Sequence, residues 1–233
     1  ATTGRGGERC EAGAEAELEF TLVVTDELLV TTSELSSWTV NTAGYAEILA
    51  ASGGTAPYTW SVTGSLPGGL SLDGATGLIS GTPTAVGSFS FTVEVTDQNG
   101  FTADAGLDIV INAAPEITSG PTLAAAVVDQ EYGPVAIDVA GGTAPLAFDV
   151  PAGGLPAGLA LDPATGELSG TPTDPGTYTF TVVVTDGAGA QVSETFTLVV
   201  TDELLVTTAE LDAWTEGQGG YPGPLSASGG TAP

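Results

Sequence analysis

Short runs in which apolar and polar residues alternate recur along this chain. Phe91–Thr96 reads Phe-Thr-Val-Glu-Val-Thr, and Tyr58–Val62 reads Tyr-Thr-Trp-Ser-Val. A period of two places the apolar side chains on one face of a strand and the polar ones on the other. About seven such segments fall within each stretch of about 90 residues, whereas no helical pattern lasts longer than about two turns. The pattern predicts an all-β protein whose strands have one buried face, with Trp60 in the core.

Glycine and proline residues mark the ends of these runs. The chain contains 34 Gly and 15 Pro, and they cluster at Gly53-Gly54, Pro67–Gly69, Gly81–Pro83 and Asn99-Gly100. Glycine supplies positive φ angles and proline a fixed φ angle, which tight reversals of the chain need. Seven short strands with turns every 8–12 residues are typical of an immunoglobulin-like β-sandwich.

The strand pattern is part of a sequence repeat. Ser52–Pro57 returns almost unchanged as Ala140–Pro145 and again as Ser228–Pro233, each step being 88 residues. The longer block Leu66–Thr84 returns as Leu155–Thr173, offset by 89. Repeats of this kind indicate tandem domains rather than one large domain.

The sequence also has a longer repeat period than 88 residues. Thr25–Trp38 returns as Thr201–Trp214 with three differences, an offset of 176, or twice 88, and the copy between them is much less similar. Two repeat types therefore alternate. We predict one repeat of type a at residues 27–112 and one of type b at residues 113–202. Residues 1–26 are then a non-repeat segment plus the last strand of a preceding repeat, and residues 203–233 are the opening part of a further type a repeat.

The repeated motifs resemble those of a known family. Gly-Gly-Thr-Ala-Pro-Tyr-Thr-Trp, Leu-Pro-Gly-Gly-Leu-Ser-Leu-Asp, Thr-Gly-Leu-Ile-Ser-Gly-Thr-Pro and Phe-Thr-Val-Glu-Val-Thr-Asp are similar to the bacterial putative-immunoglobulin, cadherin-like repeat family. The resemblance covers nearly everything after residue 14. It implies tandem sandwich modules of a large secreted or cell-surface protein of bacterial type, and no single activity.

The net charge of the chain limits the classes of molecule that it is expected to bind. The chain has 29 Asp and Glu residues against two Arg, no Lys and no His, for a formal net charge of −27. Nucleic acid is not expected as a partner because binding phosphates needs Lys or Arg. No apolar run is long enough to predict insertion into a membrane. Self-repulsion of this size suits an ionic, extracellular medium.

The chain lacks most of the residue types that enzymes use for nucleophilic catalysis. Without His or Lys, and with one Cys outside the repeats, the chain lacks the residues of Ser-His, Cys-His and Schiff-base mechanisms. Paired carboxylates remain, but glycosidases hold theirs in a deep cleft. We therefore do not expect an enzyme and expect no cofactor other than calcium.

Calcium is considered because carboxylates recur at the predicted turns and linkers. Because successive strands alternate in direction, the turn residues would lie near the preceding linker. Together they would form an interdomain calcium site that stiffens the array. The alternative interpretation is that each Asp caps its own turn. The candidate ligands are Asp26, Glu27, Asp73, Asp97, Asn99, Asp162, Asp186, Asp202 and Glu203, with Asn112 and Glu116 in the second linker.

Three other residues are candidates for contacts with partners. Trp38 and Trp214 share one register, where they either stack on sugars or a neighbouring chain, or pack in the core or the junction. Cys10 either forms an intermolecular disulfide or is a free thiol in the terminal segment.

The expected function follows from the array. We expect a structural component of an extracellular fibre, filament or surface stalk, whose partners are copies of itself or neighbouring repeats. The alternative is an adhesin or carbohydrate-binding repeat that contacts glycans or another cell surface. A third hypothesis is polymerisation by strand exchange through residues 14–26.

Overall fold

The computed structural model describes residues 2–9, 15–22, 24–151, 154–208 and 226–229, and every regular element in these ranges is a β-strand. The chain forms two compact units, each made of two segments. Ala1–Ser37 and Ala43–Ile111 form the first unit, and Trp38–Thr42 and Asn112–Pro233 form the second. Trp38–Thr42 therefore belongs to the second unit, although the residues on either side of it belong to the first.

The first eleven strands lie before residue 113. They are β1 (Thr2–Arg9), β2 (Glu15–Leu22), β3 (Leu29–Val30), β4 (Trp38–Thr39), β5 (Tyr45–Ile48), β6 (Ala51–Ser52), β7 (Thr59–Gly64), β8 (Leu70–Leu72), β9 (Leu78–Gly81), β10 (Gly87–Thr96) and β11 (Thr102–Asn112). Strand β4 and the last residue of β11 are counted with the second unit.

The strand pairs described below for the first unit are antiparallel. Strand β10 pairs with β7 on one side and with β11 on the other, so that Val93 faces Val62 and Ala105. Strand β9 lies between β5 and β8, β3 pairs with β6, and β1 pairs with β2.

The core of the first unit follows the alternation in the sequence. In β10 the side chains of Phe91, Val93 and Val95 are buried, whereas Glu94 between them is exposed. Trp60 is also buried, which confirms its predicted place in the core. Other large buried side chains come from the β5-β9-β8 sheet, from β11 and from the segments beside them: Leu28, Tyr45, Leu49, Leu70, Ile79, Leu107, Ile109 and Ile111.

The second unit repeats this arrangement. Its strands are β12 (Glu116–Ile117), β13 (Ala126–Val127), β14 (Tyr132–Ala136), β15 (Val139–Ala140), β16 (Ala147–Asp149), β17 (Leu159–Leu161), β18 (Glu167–Gly170), β19 (Gly176–Thr185), β20 (Gln191–Thr201), β21 (Leu205–Val206) and β22 (Ala227–Ser228). One sheet has the order β13-β20-β19-β16, with β13 parallel to β20, and another has the order β14-β18-β17. The core between them is filled by large apolar side chains, among them Leu168, Phe180, Val182, Val184, Phe196 and Val200.

Strand pairing repeats at an offset of 176 residues, even though the sequence of β1 is unlike that of β19. In β19 and β20 Tyr178 faces Leu198, and in β1 and β2 Thr2 faces Leu22, which is the same register at an offset of 176. If β12 with β13, and β14 with β15, are each counted as one interrupted segment, β12–β20 form the seven segments expected of a repeat.

The Gly-Gly motif closes one end of each repeat. Gly53 has a φ of +74°, and a Cβ atom added there would lie 1.9 Å from the carbonyl oxygen of Glu27. Next to it, the N–H of Gly54 donates to the carbonyl of Asp26 at 2.8 Å. Only glycine lets the two backbone segments approach this closely, which explains why the motif recurs.

Candidate functional site

Four polar side chains meet in the second unit, and we call Thr39, Asn112, Thr143 and Asp186 the Thr39 cluster. Thr39, Thr143 and Asp186 are 0%, 6% and 4% exposed. The Thr39 and Thr143 hydroxyl oxygens are 2.7 Å apart, the Thr39 hydroxyl donates to Asp186 Oδ2, and Asn112 Nδ2 donates to Thr143 Oγ1 at 3.0 Å. These contacts join parts of the chain that are 104 and 147 positions apart.

Both oxygens of Asp186 are occupied by donors. Oδ2 accepts from the Thr143 N–H at 2.9 Å as well as from Thr39, and Oδ1 accepts from the N–H groups of Ala188 and Ala190 at 3.0 and 2.8 Å. Burial alone would raise the pKa of this carboxyl, but the hydrogen bonds from Thr39 and the backbone outweigh burial and lower the pKa below its ordinary value. Asp186 is therefore held as a carboxylate that fixes the surrounding backbone.

A turn after β4 positions Thr39. The Val40 N–H donates to the Asn112 carbonyl at 2.9 Å, the Thr42 N–H donates back to the Thr39 carbonyl at 3.2 Å, and Asn41 has a φ of 59°. Asn tolerates this left-handed conformation better than most residues. Half-buried Trp38 donates its Nε1–H to the Thr42 carbonyl at 2.8 Å, which ties the indole to the same turn.

The first unit holds an equivalent carboxylate, Asp97, which is 5% exposed. Its Oδ1 accepts from the N–H groups of Asn99 and Phe101, and its Oδ2 accepts from the Thr55 N–H, all at 2.9 Å. Burial would raise the pKa of Asp97, but the backbone N–H groups of Phe101, Thr55, Asn99 and Gly100 lower it below the ordinary value.

A cavity of about 330 Å³ lies beside Asp97, and we call it the Asp97 cavity. It brings together three of the predicted calcium ligands. Its lining residues are Thr25, Asp26, Glu27, Leu28, Gly54, Asp97, Phe101 and Thr102. The fourth residue predicted near it, Asn99, donates from Nδ2 to Thr55 Oγ1 at 2.9 Å, and Asp73 is not among the lining residues.

Asp73 and Asp162 each cap a turn. Asp73 Oδ1 accepts from the N–H groups of Ala75 and Thr76 at 2.9 and 3.0 Å, and Asp162 Oδ1 accepts from Ala164 and Thr165 in the same way. Backbone hydrogen bonds, first from Thr76 and Thr165, lower the pKa of both carboxyls. These contacts match the turn-capping interpretation of both residues.

The other predicted site residues are less constrained. Glu116 lies in β12, Asp202 and Glu203 follow β20, and all three are exposed. In the described ranges no three His, Cys, Asp or Glu side chains are grouped closely enough to hold a metal ion. Trp214 and Cys10 lie outside the described residues. A calcium site and sugar stacking by tryptophan remain predictions.

Thr39 and Thr143 are not among the site residues that the sequence predicts. A threonine in a β protein carries no distinctive signal, because the same residue suits any exposed strand position. The available signal was positional, since Thr39 adjoins Trp38 in the 176-residue repeat and Thr143 lies in the Gly-Gly-Thr-Ala-Pro motif.

These features define a protein of tandem immunoglobulin-like β-sandwich repeats of about 88 residues, as the sequence predicts. The sequence matches the family described as "Putative Ig domain" over residues 29–112 and again over residues 108–201. The chain belongs to this family. In the described part of the chain there is no helix that could cross a lipid bilayer.

The chain is also similar to individual known proteins. Over 155 residues, 64% of its length, it is 39% identical to the serine-rich adhesin for platelets of Staphylococcus aureus, of which it spans 6%. Among solved structures, it resembles the titin I-band fragment I67–I69, with a TM-score of 0.43 and 13% identity over 79% of this chain and 68% of that one. Protocadherin gamma B2 domains 3–6 have a TM-score of 0.34 and 18% identity over 81% of this chain and 55% of that one.

Proposed function

We propose that this chain is a non-enzymatic structural segment of an extracellular or cell-surface array, in which tandem repeats act as a stalk, fibre or spacer. The observation that supports the proposal is which segments of the chain make up the second unit. Trp38–Thr42 is part of that unit through the Thr39 cluster, while Ser37 and Ala43 on either side belong to the first. Chain connectivity therefore couples the folding of the two units.

The coupling has a physical basis. Loss of the second unit's fold removes the Asp186 carboxylate, which accepts the Thr39 hydroxyl. Residues 38–42 then lose this contact, and the stability of neighbouring residues in the first unit is reduced with it. A chain that melts in this coupled way resists local opening better than independent domains on a flexible linker, which suits a spacer.

Composition supports an extracellular setting. The net charge of −27 keeps repeats soluble and mutually repelling, and salt outside the cell screens that repulsion. The similarity to part of a staphylococcal adhesin agrees with a bacterial surface protein.

Calorimetry of Thr39→Val tests the proposal. Valine keeps the shape of threonine but removes the hydroxyl that joins Thr143 to Asp186. We expect the unchanged chain to melt in one cooperative transition and Thr39→Val to melt in two, the second unit at the lower temperature. Thr59→Val is the matched control, because Thr59 is an exposed threonine in β7.

Two separate transitions in the unchanged chain would refute the coupling. So would one transition that Thr39→Val and Thr59→Val shift equally, since the hydroxyl of Thr39 would then have no special role.

A second candidate function is adhesion, favoured by the 39% identity to a segment of the serine-rich adhesin for platelets. It predicts that beads coated with this chain bind platelets or arrayed glycans, and that soluble chain competes. Replacing both Trp38 and Trp214 by Ala tests whether the tryptophans are responsible, with Thr59→Val again as control. Binding that survives the double substitution would remove the tryptophans from the hypothesis, and no binding at all would remove adhesion.

A further inference from the structure

The hydrogen bonds of the Thr39 cluster form a chain with one direction. Because the single hydroxyl proton of Thr39 goes to Asp186 Oδ2, the Thr143 hydroxyl is the donor in its contact with Thr39. Asn112 Nδ2 in turn donates to Thr143 Oγ1 at 3.0 Å. The chain of hydrogen bonds therefore starts at a side-chain amide and finishes at a carboxylate, which can only accept.

Two repeat types contribute to this chain of hydrogen bonds. Thr39 and Asn112 belong to the predicted type a repeat. Thr143 and Asp186 belong to the predicted type b repeat, although all four residues lie in the second unit. The threonine of the type b motif therefore receives its amide from the type a repeat that precedes it.

The type a repeat supplies an amide to its own motif threonine. Thr55 has the place of Thr143 in the Gly-Gly-Thr-Ala-Pro motif, and Asn99 Nδ2 donates to Thr55 Oγ1 at 2.9 Å. In the type b repeat the position of Asn99 is taken by Ala188, which is buried and has no donor group on its side chain. In the described ranges each motif threonine thus accepts from one side-chain amide, which is internal in type a and comes from the preceding repeat in type b.

The residues that type a contributes have different counterparts in type b. The turn after β13 has the same backbone hydrogen bonds as the turn after β4, and the third residue of both turns has a φ of 59°. This correspondence places Val127 at the position of Thr39, and Thr201 at the position of Asn112. A type b repeat therefore offers the repeat that follows it neither the amide of Asn112 nor the hydroxyl of Thr39.

We propose that this amide selects neighbours within the array, so that a type a repeat is followed by type b and a type b repeat by type a. The proposal deepens the structural function proposed above and rests on it. With a before b, Asn112 supplies the amide and Ala188 adds no second one. With b before a, Asn99 supplies the amide and Val127 adds no polar group that would need a partner.

Repeats in any other order would break this balance of donors. Two type a repeats in succession would bring two amides to one threonine hydroxyl. The hydroxyl oxygen has two lone pairs, but the additional amide would also bring a second N–H and an oxygen into a buried place without partners. Two type b repeats in succession would bring no amide and no hydroxyl for the buried aspartate. Discrimination against the wrong neighbour accounts for the alternation with a period of 176 residues.

Hydrogen exchange of the Thr143 amide in the full chain tests the proposal, because this buried N–H donates to the same Asp186 oxygen that accepts Thr39. Ala188→Asn copies the type a residue and gives two amides, whereas Asn112→Thr copies the type b residue and gives none. Each single variant should exchange at least about tenfold faster, as expected when buried polar groups lack partners. The double variant has one amide again and should exchange nearly as slowly as the unchanged chain.

Restoration in the double variant separates the number of amides from steric damage. Damage from a larger side chain at Ala188 would persist when Asn112 is also replaced, and the two effects would add. Ala190→Asn is the matched control, because the type a repeat carries the larger Phe101 at that position. Asn99→Ala removes an exposed amide from the first unit and should leave exchange of the Thr143 amide unchanged.

A double variant that exchanges as fast as either single variant would overturn the proposal. A single variant that exchanges as slowly as the unchanged chain would overturn it too, as would Ala190→Asn accelerating exchange as much as Ala188→Asn. The proposed function is tested by the number of melting transitions in the unchanged chain and in Thr39→Val, which these exchange rates do not determine. Failure of the neighbour selection is therefore distinguishable from failure of the proposed function.

Discussion

The hydroxyl of Thr39 donates a hydrogen bond to Oδ2 of Asp186, a residue 147 positions further along the chain. The carboxylate also accepts three backbone N–H groups, from Thr143, Ala188 and Ala190. Four donors on one buried carboxylate make Asp186 an organising residue of the second unit, because the three backbone N–H groups would lack this acceptor without it and Thr39 would keep only its contact with Thr143.

Replacing Asp186 by Asn should therefore destabilise the second unit. The Asn side chain has one acceptor oxygen, so its NH₂ group faces either the Thr143 N–H or the pair of Ala188 and Ala190. Leaving a buried N–H without an acceptor costs about 1–3 kcal/mol in the free energy of unfolding. Hydrogen exchange of the β19 and β20 amides measures the loss.

Asp97→Asn is the matched comparison in the first unit. It should cost less, because the donor that loses its acceptor is the N–H of Thr55, which is half-buried and accessible to water. Equal losses of protection in β10–β11 and in β19–β20 would show that the Thr39 cluster adds nothing to the turn itself.

The alternation of residue types predicted the fold because it depends on local sequence alone. Phe91, Val93 and Val95 lie on one strand, and period two assigns them to one face without knowledge of the partner strand. The register of β1–β2 could not be predicted from the repeat, because Thr2–Arg9 is unlike Tyr178–Thr185 in sequence and yet pairs with β2 as β19 pairs with β20.

The Thr39 cluster could not be predicted in the same way. Asp186 was singled out as a possible calcium ligand, but its partners are hydrogen-bond donors, among them Thr39 at a separation of 147 residues. Nothing local distinguishes Thr39 from other strand threonines. Its role depends on the packing of residues 38–42 with the second unit, which is a tertiary contact and is not encoded in the local sequence pattern.

Gly53→Ala should destabilise the first unit strongly. The added methyl group would lie 1.9 Å from the Glu27 carbonyl oxygen at a φ of +74°, so the backbone of the linker must move. We expect a loss of more than about 3 kcal/mol, as for other severe steric changes. Urea unfolding measures it.

Gly100→Ala separates the clash from the conformational strain. Gly100 has a φ of +85°, but a Cβ atom there meets nothing within 4 Å. Only the strain of the left-handed region remains, which costs about 1–2 kcal/mol. If the two variants unfold at the same urea concentration, close approach of the backbone is not the reason for glycine at residue 53.

The turn caps predict how stability depends on pH. Hydrogen bonds from backbone N–H groups lower the pKa of Asp73 and Asp162 in the folded chain. A carboxyl with a lowered folded pKa stabilises the fold fully above its unfolded pKa, about 3.9, and this contribution is lost as pH falls through the folded pKa. The melting temperature should therefore decrease as the pH is lowered below about 4.

Asp73→Asn with Asp162→Asn provides the control for this pH dependence. The amide oxygen still accepts the backbone hydrogen bonds but does not titrate, so the double variant should be less stable at neutral pH and should lose less stability on acidification. A double variant with the same acid-induced loss as the unchanged chain would place the responsible carboxyls elsewhere.

Millimolar calcium should leave the melting temperature of the chain unchanged relative to sodium chloride at the same ionic strength. Calcium takes six to eight oxygen ligands. The four turn aspartates Asp73, Asp97, Asp162 and Asp186 already use carboxylate oxygens to accept backbone N–H groups, and a cation would have to compete with those contacts. Matching the ionic strength is essential, because screening of a net charge of −27 stabilises the chain by itself.

Calcium binding at the Asp97 cavity would contradict this prediction, and Asp26, Glu27 and Asp97 all line that cavity. Differential scanning calorimetry with calcium, with chelator and with matched sodium chloride decides the question. A calcium-dependent rise in melting temperature that Asp26→Asn abolishes and Asp202→Asn leaves intact would place a calcium site at this cavity.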